Sequence, residues 1–160
     1  MSTLNYTQYG LAPMLQLEGL EESAEPVVFV VTLGVKDGRI TLDYGQKGTD
    51  KDYIAITCNT RVEIVLEGDQ LYFSKDYDAI TTKEALSSFY GALAYDGYDK
   101  ELDRYKIVRF IARYNKNGKV GTKHPFNINV DLLQSSDGEE PRFIALTIDP
   151  TINNPPPIGN

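Results

Sequence analysis

The chain has no tryptophan, one cysteine and one histidine among its 160 residues, and each scarcity closes off a chemistry. A lone Cys58 cannot form an internal disulfide, and Cys58 with His124 falls short of the ligand set of a tetrahedral zinc site. Histidine is the usual proton carrier near neutral pH, and His124 stands directly before Pro125, in a loop context at the start of a strand. A Cys58–His124 pair of nucleophile and base is weaker than the plainer reading of Cys58 as a buried thiol ending the strand Tyr53-Ile54-Ala55-Ile56-Thr57. No catalytic residue is assigned.

Long apolar runs are missing as well. The longest, Val27-Val28-Phe29-Val30-Val31, is far short of the roughly 20 residues a spanning helix needs, and its β-branched content suits a central strand. Met1 to Tyr6 has neither a basic start nor an apolar run of signal-peptide length, so a cytoplasmic location is expected. Positive charge is in deficit: a net charge of -7 repels phosphate backbones and anionic lipids, which argues against nucleic acid and membrane as partners. Lys116, Lys119 and Lys123, with Arg109 and Arg113, read as a solvated surface. No glycine-rich phosphate loop is present; Gly118-Lys119-Val120-Gly121-Thr122-Lys123 comes nearest but lacks the following helix and reads as a hairpin.

What the chain does have is period-two alternation. Asn127-Ile128-Asn129-Val130-Asp131-Leu132 alternates so strictly that one face is expected to be buried and the other wet. Similar stretches occur in Arg39 to Tyr44, Arg61 to Ile64 and Lys106 to Ile111, with further strands over Pro26 to Leu33, Leu71 to Phe73, Phe126 to Leu133 and Phe143 to Ile148. Asp37-Gly38 and Asn117-Gly118 supply turn chemistry. Between Ser74 and Asp103 the period changes: Thr81-Thr82-Lys83-Glu84 fits a capping box and Ala85, Leu86, Phe89 and Leu93 recur at helical spacing, which predicts one short helix. Seven or eight strands with one helical crossover predict an all-β fold, a two-sheet antiparallel immunoglobulin-like sandwich. Residues 1–25 read as an N-terminal arm, 26–149 as the sandwich, and 150–160 as a proline-rich tail outside any central strand.

Eleven tyrosines crowd this tryptophan-free chain, with Tyr72, Tyr77, Tyr90, Tyr95, Tyr98 and Tyr105 in its middle. Those on strands belong to the core, whereas Tyr95, Tyr98 and Tyr105 are the candidates for a ligand or partner surface, since a tyrosine ring offers area and a hydroxyl at low entropic cost. Asp96, Asp99, Glu101 and Asp103, with Asp76 and Asp78 as candidates to lie nearby, concentrate the oxygen ligands calcium prefers but lack EF-hand spacing, so a solvated acidic loop competes with a metal site.

The closing stretch Phe143-Ile144-Ala145-Leu146-Thr147-Ile148-Asp149-Pro150-Thr151-Ile152 resembles the last strand of the bacterial AidA/PixA inclusion-body family, and is equally similar to small bacterial proteins ending in an Ile-Asp-Pro step. The resemblance implies a small sandwich and no catalytic residues. The expectation is therefore a non-enzymatic protein-interaction or self-assembly module, forming an oligomer or docking a protein through a sheet edge or the tyrosine loops. The alternatives are a carbohydrate- or divalent-cation-binding module, with calcium at Asp96, Asp99, Glu101 and Asp103, and an enzyme using a carboxylate pair.

Overall fold

Alternation along the chain builds, among the described residues, twelve strands: β1 (Tyr9–Gly10), β2 (Val27–Lys36), β3 (Arg39–Gln46), β4 (Ile54–Ala55), β5 (Thr60–Glu67), β6 (Leu71–Phe73), β7 (Ile80–Thr82), β8 (Tyr90–Asp99), β9 (Arg104–Ala112), β10 (Lys123–Gln134), β11 (Arg142–Ile148) and β12 (Thr151–Asn153). A computed structural model describes residues 8–17, 19–20, 25–134 and 140–157. One sheet runs β3-β2-β5-β9-β8; the other runs β1-β7-β10-β12-β4, with β6 and β11 also paired to β10. The all-β, two-sheet expectation holds. Its pairing is mixed rather than wholly antiparallel, because β2 runs parallel to β5 and β12 parallel to β4.

The two sheets share one core. Phe29, Val31, Val62, Ile64, Val108 and Phe110 of the first sheet meet Phe73, Ile80, Phe126, Ile128 and Val130 of the second, all buried. Apolar side chains at every second position make one continuous face per strand, and its removal from water is the main force holding the layers together. Tyr90 lies in this core edge-on to Phe110, and its polar end is provided for: its hydroxyl pairs with His124 Nδ1 at 2.6 Å and accepts from Asn154 Nδ2 at 3.1 Å. Which of Tyr90 and His124 donates follows from the imidazole tautomer. Burial holds the Tyr90 hydroxyl far above its ordinary pKa, so it stays protonated in this role.

Several expectations are corrected here. The polar face of β10 is not wet: Asn127, Asn129 and Asp131 are all buried, on the side away from the apolar core. They form a stripe of hydrogen bonds instead. Asn129 Nδ2 donates to the Asp78 carbonyl at 2.8 Å, Asn129 Oδ1 accepts from Thr147 Oγ1 at 2.9 Å, and Asn127 Nδ2 donates to Thr81 Oγ1 at 3.1 Å. Asn127 Oδ1 is buried without a partner among the described residues. His124 lies not in a loop but inside β10, fully buried, and Cys58 is exposed rather than buried.

The helix expected from the capping box is also absent. Thr81 and Thr82 pair with Asn127 and Phe126 as β7, and the apolar residues that follow make a single helical turn, in which the Tyr90 amide reaches the Leu86 carbonyl at 3.2 Å. Gly91 and Ala92 then turn the chain against Ala12; a side chain at Gly91 would come within 2.9 Å of that residue. Tertiary pairing overrides local helical spacing. The only other helical feature among the described residues is a 3₁₀ turn at Lys116–Gly118. At the ends, β1 pairs with β7, and β12 places 151–153 of the expected tail beside β10. Residues 135–139, between β10 and β11, lie outside the described residues, as does part of the N-terminal arm.

Replacing Asn129, itself buried, with Ala removes the partner of the Asp78 carbonyl and of the hydroxyl of the exposed Thr147, both in part-buried hydrogen bonds. A loss of about 1–3 kcal/mol in unfolding free energy is expected by urea denaturation; an unchanged midpoint and slope would show that the stripe does not bear on stability.

Candidate functional site

A pinch in the β10 partner strand creates the site. β6 ends with Phe73 opposite Val130 and β7 begins with Ile80 opposite Ile128, so the partner chain advances seven positions while β10 advances two. The excess is extruded at Asn129, whose carbonyl accepts from the Ser74 amide at 2.9 Å and whose amide donates to the Ala79 carbonyl at 2.8 Å. Lys75 to Asp78 therefore stand out from the sheet as an exposed loop. Its shape is set from three sides. Ser74 Oγ accepts the Tyr77 amide at 3.0 Å, Asp131 Oδ2 accepts the Lys75 amide at 3.2 Å, and Asn129 holds the Asp78 carbonyl.

Facing the loop is the β8–β9 hairpin of the other sheet. Gly97, at φ 66°, interrupts the alternation of β8, and Tyr95 and Tyr98, three residues apart, both pack on Tyr105 with ring centroids 5.3 and 5.0 Å away. These rings remain 37–51% exposed, a high value for three mutually packed aromatics. The Tyr95 hydroxyl accepts the Ala79 amide at 2.9 Å and so ties the hairpin to the loop while its own proton stays free to donate. Burial raises the Tyr95 pKa, so that proton is retained at neutral pH.

Between loop and hairpin lies a cleft of about 330 Å³, within the range of small-molecule sites, lined by Tyr77, Tyr95 and Tyr105 with Lys75, Asp103 and Arg104 among its polar groups. Lys75 Nζ meets Asp103 at 2.7 Å, and Asp103 also accepts the Tyr98 hydroxyl at 2.5 Å. These two donors, Lys75 foremost, hold the Asp103 carboxyl below its usual range. Asp76 and Asp78 line the same cleft with exposed carboxylates that make no ion pair among the described residues.

The structure thus brings together Tyr95, Tyr98, Tyr105 and Asp103 from the sequence analysis. It separates the other acids. Asp96 pairs with Arg109, which also bonds Glu63; Asp99 caps the Leu102 amide at 3.0 Å; Glu101 sits exposed in the hairpin turn. Among the described residues no three carboxylates, histidines or cysteines converge to hold a metal, and Asp96, Asp99, Glu101 and Asp103 do not gather into one calcium-ligand set. Lys75, Arg104 and Asp131 are functional-site residues that the sequence analysis misses. The available signal is the largely polar run Ser74 to Asp78 between the apolar triplet Leu71-Tyr72-Phe73 and the pair Ala79-Ile80. A second hollow of about 350 Å³, lined by Tyr44, Tyr53, Lys123 and Asn153, lies toward the other end of β10.

A family model described as a predicted novel nucleotide synthetase matches residues 1–157, nearly the whole chain. No curated protein matches it. The family match overturns the AidA/PixA resemblance, which rested on residues 143–152 alone. It also overturns the reading as a non-enzymatic, oligomer-forming protein-binding module, because the family's description is that of an enzyme. No helix among the described residues is long and apolar enough to cross a membrane.

The Asp103 link carries a pH signature. A carboxyl with a depressed pKa keeps its partners above the ordinary carboxylate range and loses them only as pH falls through the lowered value. A carbon-detected NMR titration of Asp103 is expected to give a midpoint below that of an ordinary aspartate, rising in Lys75→Ala; equal midpoints in the two proteins would remove Lys75 as the cause.

Proposed function

The chain belongs to the family of predicted novel nucleotide synthetases, and from that premise we propose that it is an enzyme acting on a nucleotide, with the tyrosine-lined cleft as its active site. The observation that carries this reading is the ring pair Tyr95 and Tyr105, packed together yet exposed and lining a polar cleft, with Tyr98 packed against Tyr105. Every nucleobase has a flat π-face, and a ring left half in water gains most by covering it with another flat surface. Tyr77 on the loop supplies a further exposed ring to the same cleft.

The chemistry available is that of carboxylates and hydroxyls. Asp76 and Asp78 are the acid and base candidates, free of cations that would hold them inert, and Tyr95 offers a hydroxyl proton. His124, sealed in the core, is too far from solvent to take part. Cys58 is exposed but is not among the residues lining this cleft.

Addition of adenosine 5′-monophosphate to labelled protein is expected to move amide NMR signals of 74–79 and 95–105. Tyr105→Ala should weaken that binding by about 1–3 kcal/mol, the worth of one stacked base. Shifts confined to the hollow around Tyr44 and Tyr53 would relocate the site, and no shift with any nucleotide would defeat the reading.

A further inference from the structure

Resting on that reading, we infer that the cleft has a phosphate end built on Arg104, and that Asp131 is the positioning residue that holds it there. Arg104 opens β9 and lines the cleft together with Tyr95 and Tyr105. Its guanidinium is fixed on three sides: Nε donates to Asp131 Oδ2 at 2.8 Å, Nη1 donates to the Leu102 carbonyl at 2.9 Å, and the plane lies over the Phe143 ring at 3.5 Å. Nη2 has no partner among the described residues. An arginine held flat, largely buried and with one donor edge unspent is preorganised for a phosphoryl oxygen, because the entropy of fixing the long side chain is already lost in the free protein.

Asp131 does more than pair with Arg104. The same Oδ2 accepts the Lys75 amide at 3.2 Å, so one buried carboxylate sets both cationic residues of the cleft, one through its side chain and one through its backbone. Lys75 Nζ, in turn, is held by Asp103 on a half-exposed ion pair, which a phosphate can displace at small cost. Base and phosphate ends then follow from the lining: aromatic faces at Tyr77, Tyr95 and Tyr105, cations at Lys75 and Arg104. The lining also carries Asp76, Asp78 and Asp103, three carboxylates against two cations, so a polyphosphate enters with magnesium to offset its charge.

The test compares adenosine with ATP by calorimetry, in magnesium, for wild type, Arg104→Lys and Asp131→Asn. Wild type is expected to bind ATP about tenfold or more tightly than adenosine, the worth of one charge-assisted contact. Both variants should lose most of that advantage while keeping adenosine affinity. Because a buried ion pair is altered, the folded state is checked by amide NMR, and the Arg104 side-chain nitrogen signals of the unaltered protein are followed on adding pyrophosphate alone. Nη2 signals that move support the assignment. If adenosine binds but the ATP advantage survives in folded Arg104→Lys and pyrophosphate leaves Arg104 unmoved, the phosphate end lies elsewhere and the nucleotide reading stands. If neither adenosine nor ATP binds, both fall.

Discussion

The buried polar stripe on β10 is the constraint on which the rest of the molecule depends. A strand with Phe126, Ile128 and Val130 on one face and Asn127, Asn129 and Asp131 on the other would ordinarily show the second face to water. Here that face is covered, and buried amides and carboxylates are costly unless each finds a partner. Most of those partners are supplied by β7, by the Lys75 to Asp78 loop and by Arg104. The demand for hydrogen bonds in the interior therefore determines where the loop leaves the sheet and which way its polar groups face.

This couples fold to site. Asn129 is at once the position where β6 and β7 part and the side chain that grips Asp78; Asp131 is at once a sheet residue and the anchor of two cleft cations. Removing one partner of a buried pair costs several kcal/mol, commonly about 3–5, whereas the exposed pairs at Lys75 and Lys83 contribute little. The structure thus has a rigid base, in Arg104, Asp131 and Asn129, beneath an exposed rim of Lys75, Tyr77 and Asp103. Such a division suits a site that must hold a ligand in register and still admit it.

Much of the architecture was legible. Alternation in Arg61 to Ile64 and in Lys106 to Ile111 marks β5 and β9, and Asp37-Gly38 turns β2 into β3 with both residues at positive φ. Tyr95, Tyr98 and Tyr105, expected in loops, lie instead on β8 and β9 with their rings partly exposed. What stayed hidden depends on distant partners. Nothing local in Thr81-Thr82-Lys83-Glu84 says that β10 will claim the threonines, and nothing in Asn127-Ile128-Asn129 says that Gln8, the Asp78 carbonyl and Thr147 will take up the Asn129 amide. Arg104 and Asp131, 27 positions apart, become one unit only in the fold. The one histidine is buried in β10 and no compact motif surrounds it, so the family relation adds what periodicity cannot.

The measurement that bears most directly on this account is a crystal structure of the protein with a magnesium nucleotide bound. The account predicts the base against Tyr95 and Tyr105, with a phosphate oxygen on Arg104 Nη2 and Lys75 turned from Asp103 toward the ligand. A nucleotide seated between Tyr44, Tyr53 and Lys123, with the Lys75 to Asp78 loop unoccupied, would contradict it.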